Sequence, residues 1–173
     1  MSHAARPAGH LGVNLERLRE DLLALARIGR SEADHGVHRR GFSAADMEAR
    51  RWLLDRIAEA GGAGRLDEAG NVIGRWWPDR PGPALILGSH IDSVPAGGIF
   101  DGCLGVLAGL EVIRRLAEEG VDPPRPVELV AFADEEGRFG GMFGAQAFCG
   151  QLTPEWILEA HDVDGLRLAD VLE

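Results

Sequence analysis

Hydrophobic residues along the chain recur with two different periods, and these predict alternating helices and strands. Apolar positions three or four residues apart predict amphipathic helices that begin after Asn14 and after Ser43, and both residues are common helix N-caps. A third helical pattern covers residues 104–116, and shorter ones cover 145–148 and 154–160. We therefore expect three substantial helices followed by two short ones and by a further apparent helix that includes residues 172–173.

Short apolar runs between these helices predict strands. Residues 84–87 are a continuous apolar run, and residues 127–133 are apolar except for Glu128; runs of this kind form buried strands. Residues 65–67 and 72–77 predict two strands joined as a hairpin. Because the helix at 104–116 connects the two buried strands, we expect a parallel crossover between them. This pattern predicts an α/β fold.

Composition predicts a single domain and argues against nucleic-acid binding and against a membrane span. The chain has 173 residues and 45% hydrophobic content, enough for one domain over residues 13–173 behind a flexible tail at 1–12. The net charge of −10 and the scattered arginines argue against nucleic-acid binding. No stretch approaches the roughly 20 apolar residues of a membrane span, and no apolar leader follows Met1. Cys103 and Cys149 form no C-x-x-C pair and are predicted to be buried thiols, which fits a cytoplasmic protein.

Two absent motifs exclude further classes of enzyme. All 18 basic residues are arginines, so the chain contains neither the G-K-[ST] of a nucleotide-binding phosphate loop nor a lysine for a Schiff base. Its serines lie in no G-x-S-x-G sequence, which disfavours an ordinary serine hydrolase.

Polar residues that can hold metal ions follow both predicted buried strands. His90 and Asp92 come after the first, two apart and so on one face, where the carboxylate can orient the imidazole. Asp101 leaves a glycine-rich turn and can bridge two ions. Only one of Glu135 and Glu136, after the second strand, can point at a given ion, which leaves the other as a general base. Although a single acidic residue is usually a surface group, these features together predict a metal site.

Three other histidines are less informative. His35 and His38 lie in a glycine-bounded loop, and His161 lies near the end of a short predicted helix. We expect all three to be exposed surface residues and not ligands.

The motifs G-S-H-I-D-S-x-P-x-G-G-x-F-D-G at 88–102 and A-F-x-D-E-E-G at 131–137 closely resemble those of the hydantoinase/carbamoylase amidases. These metal-dependent enzymes include N-carbamoyl-L-amino-acid hydrolases, β-ureidopropionases and allantoate amidohydrolases, within a wider group of aminoacylases and carboxypeptidase-type metallopeptidases. The resemblance extends over residues 14–170. One departure follows Glu136, where this chain reads E-E-G-R-F, one residue shorter than the family form E-E-G-x-R-F, and it leaves Arg138 without an assigned role.

The resemblance implies a role for each candidate residue. His90 would bind one of two divalent ions, Asp101 would bridge both, and Glu136 would bind the second. Glu135 would be the general acid and base, and Asp92 would orient His90. Zinc is the expected metal, and manganese, cobalt or nickel suit the same donors. The implied reaction is hydrolysis of a carbamoyl or ureido C–N bond, as in an N-carbamoyl amino acid, by a metal-activated water.

Members of that family are more than twice as long. They carry further metal-binding histidines and a lid domain through which they form homodimers. The implied fold is thus the N-terminal half of a mixed-sheet binuclear metallohydrolase catalytic domain, with helices on both faces and the lid domain absent. Each ion would have two protein ligands instead of the usual three, so we expect weak metal binding and little turnover by this chain alone. The alternatives are an inactive fragment that acts by association, and an aminoacylase or metallopeptidase of the wider group.

Overall fold

The computed structural model describes residues 12–172. The expected flexible tail at 1–12 therefore lies outside the described residues except for Gly12, as does Glu173. The helices and strands are α1 (Leu15–Arg27), α2 (Ala44–Glu59), β1 (Ala63–Leu66), β2 (Val72–Trp76), β3 (Leu85–His90), α3 (Cys103–Glu118), β4 (Val127–Phe132), α4 (Phe143–Phe148), α5 (Pro154–Glu159) and α6 (Leu168–Leu172).

The four strands form one mixed sheet in the order β1-β2-β4-β3. β1 and β2 pair antiparallel as the predicted hairpin, and β2 pairs antiparallel with β4. β3 and β4 pair in parallel, with α3 as the connection between them, which confirms the predicted crossover. The carboxyl ends of β3 and β4 therefore meet at the same end of the sheet, where His90 lies opposite Phe132.

Both predicted helix caps are present. The side chain of Asn14 accepts a hydrogen bond from the backbone N–H of Arg17, and that of Ser43 accepts one from Asp46. Each cap gives an otherwise unpaired donor of the first helical turn a partner. The starts of α1 and α2 are therefore set by local sequence.

Helices cover both faces of the sheet, as expected. On one face, Leu22 of α1, Leu53 of α2 and Leu107 of α3 join a single buried cluster with Leu129 of β4. On the other face the Phe148 ring of α4 meets Phe132 of β4 edge to face, with centroids 5.8 Å apart. In residues 12–172, no helix is long and apolar enough to cross a membrane.

The prediction that residues 84–87 form a buried strand is wrong in its burial. β3 begins at Leu85, but it lies at the edge of the sheet, where Leu85 is 58% exposed and Ile86 43% exposed. A continuous apolar run is typical of a strand that is covered on both faces of the sheet. Within the described residues, β4 is the only strand that pairs with β3.

The two cysteines also differ from the prediction. Cys103 is buried at the start of α3, as expected, whereas Cys149 is exposed just after α4. Phe148 and Gly150, on either side of Cys149, are exposed as well, so this end of α4 lies at the surface.

Candidate metal centre

His90 is the centre of the cluster at the carboxyl end of the sheet. Its ring is buried, and Nδ1 lies 3.2 Å from the backbone oxygen of Asp92 and 3.5 Å from Asp92 Oδ1. The opposite ring nitrogen, Nε2, lies 3.5 Å from Glu135 Oε2 and 3.9 Å from Asp101 Oδ1. One nitrogen is thus turned to its own strand end, and the other faces two carboxylates from separate segments.

Asp101 reaches the imidazole because a glycine follows it. Gly102 has a φ of +63°, and a Cβ atom there would lie 2.5 Å from His90 Cε1 and Nε2. Both the backbone conformation and the space thus require glycine at this position. The Asp101 side chain itself is 78% exposed, so its carboxylate remains accessible from solvent.

Asp92 joins the ends of the two parallel strands. Its buried carboxylate accepts hydrogen bonds from the backbone N–H groups of Glu135, at 3.3 Å, and Glu136, at 3.1 Å. The closest acceptor to His90 Nδ1 is the Asp92 backbone oxygen, not its carboxylate. Asp92 therefore holds the acidic pair in place beside His90, and its orienting effect on the imidazole stays a prediction.

The two glutamates have different surroundings. Glu135 is partly exposed and faces His90. Burial raises the pKa of the Glu136 carboxyl, and the nearby charge of His90 and the backbone N–H of Val94 oppose that rise. That only one of the two carboxylates points at a given ion stays a prediction.

Negative charge around the imidazole changes its titration. Burial alone would lower the pKa of His90, but the hydrogen bond with Asp92 and the charges of Asp92 and Glu135 outweigh it and raise the pKa to about 9. The carboxylates around His90 therefore stabilise the protonated imidazolium.

The donors here fit a divalent transition metal. Imidazole nitrogen and carboxylate oxygen are the donors used by zinc, manganese, cobalt and nickel sites. Within residues 12–172, no three His, Cys, Asp or Glu side chains form a cluster ready to hold an ion, and the candidates meet in pairs around His90. Two observations therefore support a metal site here. The side chains are of the types that bind such ions, and the backbone at Gly102 lies close against the His90 ring.

Three residues that support this end of the sheet carry no recognisable signal in the sequence. Asp134 is buried, with a φ of +50°, and its carboxylate accepts the N–H groups of Arg138, at 2.7 Å, and Phe139, at 2.8 Å. Buried Asn71 accepts the N–H of Ala133 at 2.8 Å. An aspartate before two glutamates suggests a ligand, and an asparagine after a glycine suggests a turn, so neither pattern indicates a buried support.

The third support is Arg39, whose side chain is enclosed beneath the site. Arginine is ordinarily a surface residue, and the sequence places this one in a polar loop.

Within residues 12–172 the three other histidines, His35, His38 and His161, are exposed, as predicted. His38 pairs with Asp34 at 2.9 Å, and His161 lies 3.0 Å from the backbone oxygen of Glu159. Arg138, which had no assigned role, donates to Asp162 at 3.0 Å and to the backbone oxygen of Gly41 at 3.0 Å. These contacts make Arg138 a link between loops.

An open cavity of about 320 Å³ adjoins Glu136. Its walls include Arg40, Ser93, Pro95, Arg138 and Val163. This volume is at the lower end of the range of ~300–1,000 Å³ that small-molecule sites occupy.

Comparison with known proteins identifies the class to which this fold and site belong. The model of peptidase family M28 matches residues 71–165. The chain therefore belongs to peptidase family M28.

Individual relatives give a finer comparison. The chain is 44% identical over 162 residues to an N-carbamoyl-L-amino acid amidohydrolase from Geobacillus stearothermophilus, and 37% identical over 131 residues to a ureidoglycolate hydrolase from Arabidopsis thaliana. The alignments cover 91% and 74% of this chain, but 39% and 28% of the relatives. The chain thus spans about two fifths of the length of the first of these.

The solved structures agree. A hydantoinase/carbamoylase family amidase from Burkholderia ambifaria superposes with a TM-score of 0.88 at 35% identity, covering 94% of this chain and 40% of that one. A second such amidase, from Burkholderia phymatum, gives a TM-score of 0.85 at 38% identity, covering 93% and 39%. These matches confirm the resemblance predicted from the motifs and the implied fold.

Proposed function

We propose that the chain carries part of the active centre of a metal-dependent amidohydrolase that cleaves a carbamoyl or ureido C–N bond of a small molecule, such as an N-carbamoyl amino acid. The observation that supports this most is the approach of Asp101 and Glu135, from two separate segments, to the one ring nitrogen of His90. The similarity to an N-carbamoyl-L-amino acid amidohydrolase and to a ureidoglycolate hydrolase supports the proposal that the bond is a carbamoyl or ureido C–N bond.

We assign His90, Asp101 and Glu136 as ligands of two divalent ions, with Asp101 shared between them. Zinc is the first candidate, and manganese, cobalt or nickel suit the same nitrogen and oxygen donors. When bound, such ions polarise a carbonyl and make water a better nucleophile.

Glu135 is the proposed general base. Its partly exposed carboxylate faces His90 Nε2, and its backbone is held by Asp92, so it can take a proton from water at a fixed position. The same group can then return the proton to the leaving nitrogen. Asp92 acts by fixing the segment that carries both glutamates.

The substrate would extend from this cluster into the cavity beside Glu136. Dimerisation through a lid domain and a cytoplasmic location stay predictions from the sequence.

Calorimetric titration of the chain with Zn²⁺ and Mn²⁺, together with an assay on N-carbamoyl-L-amino acids, tests the proposal. We expect weak binding that His90→Ala and Asp101→Asn abolish, because each ion has two ligands here. Exposed Asp34→Asn is a matched control and should not change binding. Binding that survives His90→Ala would contradict the ligand assignment, whereas tight binding of two ions with turnover would show that this chain is sufficient.

The exposed edge of β3 favours a second candidate, an inactive protein that acts by association. An apolar, uncharged edge strand promotes pairing with another chain. Size-exclusion chromatography combined with the zinc titration separates the two: association without any metal binding supports the second candidate. Parallel assays on a dipeptide and on an N-carbamoyl amino acid separate an amidase from a peptidase.

A further inference from the structure

Arg39 is a charged side chain enclosed by neutral groups. It is 1% exposed, and among residues 12–172 the acceptors of the guanidinium hydrogen bonds are three backbone oxygens and one sulfur, with no carboxylate. Nε donates to the backbone oxygen of Ile91 at 2.6 Å, and Nη1 donates to those of Leu25 at 3.0 Å and Ile28 at 2.8 Å. Nη2 donates to Cys103 Sγ at 3.1 Å. The guanidinium thus joins three separate parts of the chain.

The end of α1 supplies the negative partner that a carboxylate would otherwise provide. Leu25 lies in the last turn of α1 and Ile28 is its C-cap. Carbonyl groups at a helix C-terminus carry partial negative charge, and that of Leu25 also accepts the N–H of Ile28 at 3.1 Å. The planar fork of an arginine can satisfy several such acceptors at once, whereas a lysine ammonium cannot match their fixed directions.

The other two contacts lead directly to the candidate metal centre. Ile91 lies between His90 and Asp92, and Cys103 is the second residue after Asp101. A single buried group therefore links the segment that presents the imidazole to the segment that presents the bridging carboxylate.

The backbone of Arg39 adds a second link. Its N–H donates to Ser93 Oγ at 3.1 Å, and its carbonyl accepts the N–H of Ser93 at 2.9 Å. The strand end that carries His90 is thus held at Ile91 by the side chain and at Ser93 by the main chain.

We propose that Arg39 is a positioning residue that sets the separation of His90 from Asp101. The part of this inference that concerns metal binding rests on the proposed function. Arg39 does not touch the place where an ion would bind, so it acts only through the two segments that it joins.

The test compares Arg39→Lys, Arg39→Met and the unmodified chain by zinc titration and by NMR without metal. The control is Trp76→Phe, which removes a hydrogen bond to the backbone oxygen of Ala60 at the opposite end of the sheet. Both Arg39 variants should raise the Kd for Zn²⁺ about 10–100-fold, as for other residues that orient ligands. They should also shift the His90 ring and Asp101 amide signals, and Trp76→Phe should change neither after a comparable loss of stability.

Each outcome decides the proposal. Arg39→Lys with unshifted His90 and Asp101 signals would overturn it, and so would a rise in Kd that Trp76→Phe reproduces. If the unmodified chain binds no zinc, the proposed function fails, and the NMR comparison alone still decides the role of Arg39. If neither Arg39 variant folds, Cys103→Ala removes one of the contacts; a shift at Asp101 supports the proposal, and its absence counts against it.

Discussion

Replacing Gly102 by alanine should destabilise the fold and displace His90 at the same time. A left-handed φ destabilises the folded state by about 1–2 kcal/mol when the residue is alanine. Alanine also lowers the conformational entropy of the unfolded chain, which offsets about 0.4–1 kcal/mol of that loss. The new Cβ would also lie 2.5 Å from two atoms of the His90 ring, and such crowding costs about 1–3 kcal/mol. We therefore expect Gly102→Ala to lose about 2–4 kcal/mol of unfolding free energy.

Two other glycines separate these effects. Gly61 has a φ of +75°, and a Cβ atom there would have nothing within 4 Å, so Gly61→Ala should lose about 1 kcal/mol from the backbone alone. Gly98, in the same loop as Gly102, has open space and no left-handed φ, so its alanine variant should be neutral. Urea denaturation measures all three, and zinc titration should show weakened binding for Gly102→Ala alone. A Gly102→Ala protein as stable as the Gly61→Ala one, with the His90 NMR signal unshifted, would refute this reasoning.

Three further predictions concern the support of the site. Asp92→Asn should speed amide hydrogen exchange at Glu135 and Glu136. Each N–H now donates to a different carboxylate oxygen, whereas asparagine has a single side-chain oxygen, which is also a weaker acceptor. Unchanged exchange would contradict these two hydrogen bonds. In the metal-free chain, NMR should give His90 a pKa of about 9, because Asp92 and Glu135 outweigh burial. The folded pKa then lies above the unfolded value of 6.5, so this group stabilises the fold fully below pH 6.5 and loses that contribution as the pH rises through 9, visible as a falling urea midpoint. Asn71→Ala should cost about 2–4 kcal/mol in the same assay, because one buried N–H and one buried carbonyl lose their partner.

The features that the sequence predicted best depend on neighbouring residues. Asn14 and Ser43 cap their helices because each needs only a backbone N–H three residues away. The convergence of polar residues followed from the parallel pairing of β3 and β4, which brings both carboxyl ends to one place. The structure does bring Asp101 and Glu135 to His90, while the roles of these residues stay predictions.

Features that depend on distant residues were not predictable. Ile86 is apolar and was expected to be buried, but its exposure is decided by which strand lies beside it and not by its own type. Arg39 is enclosed because carbonyl groups from α1 and from the end of β3 surround it, and a single sequence shows no sign of that encounter. The chemistry of a site is therefore easier to predict than the groups that hold it.

The position of β3 at the border of the sheet has a consequence for motion. Along a border strand, successive amide groups point by turns toward the neighbouring strand and toward water, so hydrogen exchange along Leu85–His90 should alternate between slow and fast. His90 is the last residue of that strand, whereas Glu135 follows a strand with partners on both sides. A group that covers the outer side of β3 should therefore slow hydrogen exchange along the strand that ends at His90.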